Sequence, residues 1–193
     1  MDELKDLARR ARAGDASAFE ELVEKRKERA VYLAYQILGD WEEARDAAQG
    51  AFIKLWQQIG SFDERYPFDL WFRRIVTNQA IDQYRKTRVR RDAVRKDSEE
   101  PPPAPPPAIS PSGRISHEEV QRVFEEAART LAPQQRAVFV LREIEDLSPR
   151  EIAEALAITE STVRNHLFKA RAVLREYIRL RYPEYAPPAR RDE

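Results

Sequence analysis

Seven of the chain's thirteen prolines fall within eleven residues, PPPAPPPAISP at 101–111. Proline has no amide hydrogen to donate, fixes its own φ and biases its predecessor towards extended geometry. Neither a helix nor the interior of a sheet survives that density, so the run divides the chain. It reads as a polyproline-like spacer, semi-rigid at about 3 Å per residue; a ligand for a proline-binding domain is the other reading. The expected organisation is an N-terminal unit (1–91), a proline-rich linker (92–115), a C-terminal unit (116–182) and a tail (183–193). A length of 193 residues is enough for two small domains.

Both units read as helical. Asp15 is placed to cap a helix carrying Phe19, Leu22, Val23, Ala30, Leu33, Ala34, Ile37 and Leu38, with Gly39 as its stop. Asp40 and Glu43 have capping-box spacing and open a second helix to about Ile59. After a loop at 60–67, a third helix is expected from about Phe68 to Arg91. Beyond the linker, Ser116 and Glu119 form a capping pair before a helix to about Leu131, and Pro133 stands where a first-turn proline belongs. Ser148, Pro149 and Glu151 repeat the capping pattern. No stretch alternates as a strand would. The fold class expected is all-α: an N-terminal helical bundle and a C-terminal helix-turn-helix.

Charge narrows the function. The chain has 34 basic and 34 acidic residues, a net charge of zero. Residues 73–96 nevertheless hold nine cations (Arg73, Arg74, Arg85, Lys86, Arg88, Arg90, Arg91, Arg95, Lys96) against Asp82 and Asp92. Residues 161–181 hold six (Arg164, Lys169, Arg171, Arg175, Arg179, Arg181) against Glu176. Two basic stretches on an otherwise acidic chain point to a polyanionic partner. The absence of cysteine excludes disulfides and thiolate chemistry. The first twenty residues lack the apolar core of a signal peptide, and no apolar run approaches the roughly 18 residues of a membrane span. A cytoplasmic location is expected. With two histidines, His117 and His166, no glycine-rich phosphate loop and scattered carboxylates, neither an enzyme nor a cofactor is expected.

Three segments carry the functional reading. On the helix at 40–59, Ala44, Ala47, Ala48, Ala51, Phe52, Leu55 and Ile59 share one face, a core stripe. The opposite face holds Glu42, Asp46, Gln49, Ile53, Trp56 and Gln57, which suits either packing of Trp56 on a neighbouring helix or docking of a partner. In SPREIAEALAITESTVRNHLFKAR (148–171), two capped helices flank a three-residue break, the pattern of a helix-turn-helix. Its outward residues, Ser161, Thr162, Arg164, Asn165, Phe168, Lys169 and Arg171, suit base edges and phosphates; a helical hairpin with a solvated basic face has the same pattern. In WFRRIVTNQAIDQYRKTRVRR (71–91), Trp71, Phe72, Ile75 and Val76, with Phe68 just before, make a core stripe whose continuation falls on Gln79 and Gln83. Asn78, Asp82, Arg85, Lys86 and Arg88 lie beyond, with Phe62 and Tyr66 in the preceding loop. The glutamines mark either a change from core to nucleic-acid surface or an ordinary amphipathic helix; aromatics beside cations suit unstacked bases and phosphates.

Taken together, GDASAFEELVEK, LAYQILGDWEEARDAAQGAFIKLW and FDLWFRRIVTNQAIDQYRK resemble region 2 of the extracytoplasmic function (group IV) RNA polymerase sigma factors of the sigma-70 family, and LAPQQRAVFVLREIEDLSPREIAEALAITESTVRNHLFKAR resembles their region 4. The resemblance implies a bacterial initiation factor that binds core RNA polymerase and directs it to promoters. It implies that Asp46, Gln49, Ile53 and Trp56 meet the clamp helices of the largest subunit. Phe62, Asn78, Asp82 and Arg85 match positions that recognise and melt the minus-ten element, with Lys86 and Arg88 beside them. Arg164, Asn165, Phe168 and Lys169 match the reader of the minus-thirty-five element, and region 4 is expected on the flap of the second-largest subunit. The linker is expected to thread towards the RNA exit channel. An anti-sigma factor is a common further partner in the family. A stand-alone helix-turn-helix regulator is the alternative, and it leaves the Ile53–Trp56 stripe and the 68–91 helix unused. The chain departs from the family's usual residues at Gly50 (Glu), Ala157 (often Gly), Asn165 (Ser) and His166 (Arg).

Overall fold

The computed structural model describes residues 3–95 and 117–183, with side chains described for 3–87 and 122–183. Eight α-helices follow in chain order: α1 (Glu3–Arg12), α2 (Ala16–Leu38), α3 (Trp41–Gln58), α4 (Phe68–Arg95), α5 (His117–Ala128), α6 (Pro133–Glu143), α7 (Pro149–Leu156) and α8 (Glu160–Arg181). Among the described residues there is no strand. The expected Ser116 capping pair, the proline run and the tail after Pro183 lie outside the described residues.

The helix boundaries follow from side-chain chemistry. Asp15 accepts from the Ala18 amide, and Asp40 accepts from the amides of Glu42 and Glu43, filling orphan donors at two N-termini. Gly39 ends α2 in the left-handed region at φ 75°, donating its amide to the Tyr35 carbonyl. A short 3-10 turn, Ile59–Ser61, closes α3. Helix α4 runs to Arg95, four residues past the expected end, because the sequence supplies no glycine or proline to stop it there.

Helix α2 packs along α3, α4 and α1, and the buried row of α3 explains how closely. That row is Ala44, Ala47, Ala48, Ala51 and Leu55, nearly all methyl groups, so the backbones approach closely. Phe68, Leu22, Leu55, Ile37 and Val76 fill the space between. Across the bundle Arg26 donates to both oxygens of Asp69, at 2.8 and 3.3 Å, tying α2 to α4. In the second half of the chain α8 packs on α6 and α7, with α5 against its outer part. The two halves share one apolar core, running from Leu4 through Ile81 to Ala137, Leu141, Ile152 and Leu167. A smaller cluster of Ala127, Leu131, Ala170 and Leu174 lies under α5.

The core stripe of α4 does not continue onto Gln79 and Gln83. It continues through Thr77, Ala80 and Ile81, all buried, with Tyr84 packed at its edge. The stripe drifts around the helix because 3.6 residues per turn carry it from 72 to 76 to 80 and from 77 to 81. Gln79 instead lies against Gly50 of α3, its side-chain oxygen 3.5 Å from where a Cβ would stand.

Candidate nucleic-acid interface

The helix-turn-helix is assembled by caps. Ser148 Oγ accepts from the Glu151 amide at 3.3 Å, while Glu151 accepts from the Ser148 amide at 2.8 Å and from its hydroxyl at 2.7 Å. Those donors hold the Glu151 carboxyl below the usual carboxylate range. Ala157 turns the chain at φ 53°, ψ 44°, and the amides of Ala157 and Ile158 both reach the Ala153 carbonyl. Thr159 Oγ1 then accepts from the Thr162 amide at 3.1 Å and opens α8. Val163, Leu167, Ala170 and Leu174 face the core.

The expected base-reading residues of α8 lie on its open side. Ser161, Arg164, Asn165, Phe168, Lys169 and Arg171 are exposed, Phe168 to 75%, and Thr162 is half-buried. Arg164 lies 3.5 Å from Glu160, and Arg171 pairs with Glu143. His166 points the other way. It is half-buried, its Nδ1 has no hydrogen-bond partner among the described residues, and burial beside Lys169 holds the imidazole below its usual pKa. Neutral and inward, it belongs to the packing rather than to the open face.

The second surface is the stripe on α3. Asp46, Gln49, Ile53 and Trp56 are exposed, Ile53 to 54% and Trp56 to 47%. Trp56 packs on a neighbouring helix and yet stays half open to solvent. Its ring meets Phe19 edge-on at 4.7 Å between centroids, and its other side faces solvent.

The third group splits. Phe62 is buried, its ring 5.6 Å from Phe68 and 5.1 Å from Trp71, so it builds the loop rather than offering an open stacking face. Arg12 fixes the same loop, donating to the Phe62 carbonyl at 3.2 Å and to Glu64 at 2.6 Å. Asn78 is half-buried, with Nδ2 at 3.5 Å from the Ala155 carbonyl of α7, the outer limit of a hydrogen bond. Asp82 lies 3.6 Å from Arg85 and 3.9 Å from Lys54. Arg85 and Lys86 are exposed, and Arg88 lies on α4 beyond the described side chains. A cleft of about 700 Å³ opens beside them between the 59–67 loop, α4 and α7. Tyr66 and Asn78, expected at the nucleic-acid surface, line it together with Lys54, Trp71 and Arg74, to which the sequence assigns no site. Arg74 was visible only as one of nine cations; that it shares a cleft with Lys54 depends on how α3 and α4 pack.

The region 2 description of sigma-70 matches residues 22–90, and its region 4 description matches residues 121–174. The chain belongs to the sigma-70 family. It is 32% identical over 184 residues to the ECF RNA polymerase sigma factor SigW of Bacillus subtilis (strain 168), covering 91% of this chain and 97% of that one. To the ECF RNA polymerase sigma factor SigE of Mycolicibacterium smegmatis it is 31% identical over 182 residues, 91% of this chain and 68% of that protein. Among solved structures it is similar to CnrH in complex with the cytosolic domain of CnrY, with TM-score 0.64, 23% identity and 93% and 99% of the two chains covered. It is also similar to RpoE in complex with the anti-sigma factor NepR from Bartonella quintana, with TM-score 0.61, 21% identity and coverage of 84% and 97%. Those two likenesses establish the all-α fold. The chain is a promoter-directing RNA polymerase sigma factor of the extracytoplasmic function group. Sigma factors as a family direct polymerase and are not themselves enzymes. No described helix is long and apolar enough to cross a membrane.

In this sigma factor the two regions meet through a polar frame around the shared core. Glu145, its side chain only 7% exposed, pairs with Arg29 of α2 and Arg73 of α4, each at 2.9 Å. The Arg73 contact is ionic rather than a hydrogen bond, because its N–H does not point at the oxygen. Tyr35 donates to Glu125 at 3.0 Å. Arg136 of α6 is buried and donates from Nε to the Gln36 carbonyl at 2.6 Å. Burial lowers its pKa to about 10, which leaves the guanidinium charged at neutral pH. Gly39 makes the space: a Cβ there would stand 3.1 Å from Arg136 Nη1.

Proposed function

We propose the following division of labour. Residues 1–91 act as region 2, 92–115 as the linker, 116–182 as region 4 and 183–193 as a tail. The exposed Asp46, Gln49, Ile53 and Trp56 stripe docks on the clamp helices of the largest polymerase subunit, and region 4 docks on the flap of the second-largest. Asn78, Asp82, Arg85, Lys86 and Arg88 engage the minus-ten element over the loop that Phe62 anchors. Ser161, Thr162, Arg164, Asn165, Phe168, Lys169 and Arg171 engage the minus-thirty-five element. The protein works in the cytoplasm, where its polymerase is. An anti-sigma factor is a further partner, as in the complex of RpoE with NepR.

The observation that carries this reading is the coexistence of two unlike exposed surfaces. An apolar stripe on α3 suits a protein partner, and a cationic face on α8 suits a phosphate backbone. A stand-alone regulator would need only the second. Mixing the purified chain with core polymerase should give a stoichiometric holoenzyme that initiates from discrete sites in a genomic run-off library. Duplex binding without holoenzyme formation would instead identify a free regulator. Within the holoenzyme, Asn78→Ala should leave assembly intact and reduce permanganate reactivity of minus-ten thymines; unchanged melting removes Asn78 from the site.

A further inference from the structure

The buried row of α8, Val163, Leu167, Ala170 and Leu174, fixes which way that helix faces. At about 100° per residue, the line opposite runs through Ser161, Asn165, Phe168 and Ala172, all exposed. A helix lying in the major groove puts this crest deepest, where base edges are, while its flanks pass the phosphates. Arg164 and Arg171 stand on one flank and Lys169 on the other. The cations are therefore lateral, and the crest carries one hydroxyl, one amide, one ring and one methyl group.

The amide at Asn165 has no structural task. It makes no hydrogen bond among the described residues, and it lies past the cap, inside the helix. Asparagine is a poorer helix former than alanine by roughly 0.5 kcal/mol, so the fold gains nothing from it. In the major groove a side-chain amide offers a donor beside an acceptor. Adenine presents the complementary pair, the N7 acceptor beside the N6 amino donor, whereas guanine presents two acceptors and cytosine one donor. Phe168 stands three residues on, about 4.5 Å along the helix and close to one base-pair step. Once the helix is seated, that ring keeps water from one side of the amide, so a base that cannot pair with it leaves a desolvated polar group unmet.

We infer that Asn165 reads an adenine of the upstream promoter element through N7 and N6, as a specificity-determining residue of region 4. This rests on the reading of α8 as the minus-thirty-five reader. The test uses holoenzyme and a promoter selected from a randomised upstream library. Each adenine of the selected element is replaced singly by 7-deazaadenine, which keeps Watson–Crick pairing and removes N7. One replacement should weaken wild-type holoenzyme binding at least roughly 5-fold, within the roughly 5- to 150-fold of a full bidentate contact because N6 remains, and have no effect on holoenzyme carrying Asn165→Ala. Selection repeated with Asn165→Ala should lose the adenine preference at that position alone. If no single replacement matters, or if the loss persists in Asn165→Ala, the assignment to Asn165 is overturned while the reading of α8 stands. If scrambling the whole upstream element changes nothing, both fall together. Thermal melting of the Asn165→Ala chain controls for folding, and alanine at an exposed helical position should not lower it.

Discussion

At Ala157 the backbone occupies the left-handed region with a side chain that resists it. For an L-residue other than glycine that costs roughly 1–2 kcal/mol, partly offset in a Gly variant by the entropy of the unfolded chain. Ala157→Gly should therefore stabilise the protein by about 1 kcal/mol, measured by chemical denaturation; a loss of stability would mean the cap is held by contacts of the methyl group. Gly50 presents the opposite case. Its φ is ordinary for a helix, and a Cβ would meet Gln79 at 3.5 Å, normal contact, so Gly50→Ala should add about 0.5–1 kcal/mol. His166 gives a pH signature. Its folded pKa lies below the unfolded value, so its contribution to stability is complete above about 6.5 and is lost as pH falls through the folded value. Unfolding free energies at pH 7.5 and 5.5 should show a smaller acid loss for His166→Gln than for the parent; equal losses would assign the acid sensitivity elsewhere.

Among the helices, most of the residues proposed for function lie on faces that packing leaves open. Ile53 touches solvent over half its area, so Ile53→Ala should leave the melting temperature nearly unchanged while weakening holoenzyme assembly about tenfold. A parallel fall in stability would make Ile53 part of the core. Trp56 is a poorer probe because its ring also packs on Phe19. The helix ends at Asp15, Gly39, Asp40, Ser148 and Thr159 were legible in the sequence, since each cap is a local reaction between a side chain and nearby amides. So was the open face of α8, because one buried row determines its opposite. Helix α1 was not, since its apolar residues Leu4, Leu7, Ala8 and Ala11 are hidden among charges and gain meaning only against α2. The fate of α4 after Val76 was misjudged for a similar reason. Its buried face is set by α2 and α3 together with α6 and α7 of the other half, and no period within α4 reports where those last two will lie.

For the whole molecule, the sequence suggests two units on a stiff tether, whereas the structure joins them through one core. The join has a geometric consequence. Elements named for positions −10 and −35 stand about 25 base pairs apart, roughly 85 Å at 3.4 Å each. In the closed arrangement Asn78, Asp82 and Arg85 instead share a gap of about 130 Å³ with Leu156 and Ile158 of the helix-turn-helix, room for a few waters. The 22 steps from Arg95 to His117 reach roughly 75 Å at full extension, so covalent geometry permits the units to part. Glu145 is the ionic joint of the closed form, and removing it takes from the half-buried Arg73 its carboxylate at 2.9 Å, leaving it the field of Glu151. Glu145→Ala should shift the free chain towards larger radii of gyration in X-ray scattering, and rising salt should move the parent in the same direction. A variant as small as the parent would show that the apolar core alone holds the units together.

Arg136 gives that joint a second property. Docking strips its guanidinium of water and leaves it one close carbonyl and a pocket beside Gly39, and its lowered pKa reflects the lost hydration. Parting the units would return that hydration just as apolar surface is exposed, so the two changes oppose each other along the opening path. A guanidinium placed there acts as a counterweight: the apolar core holds the molecule shut, and the hydration Arg136 regains lowers the cost of opening it.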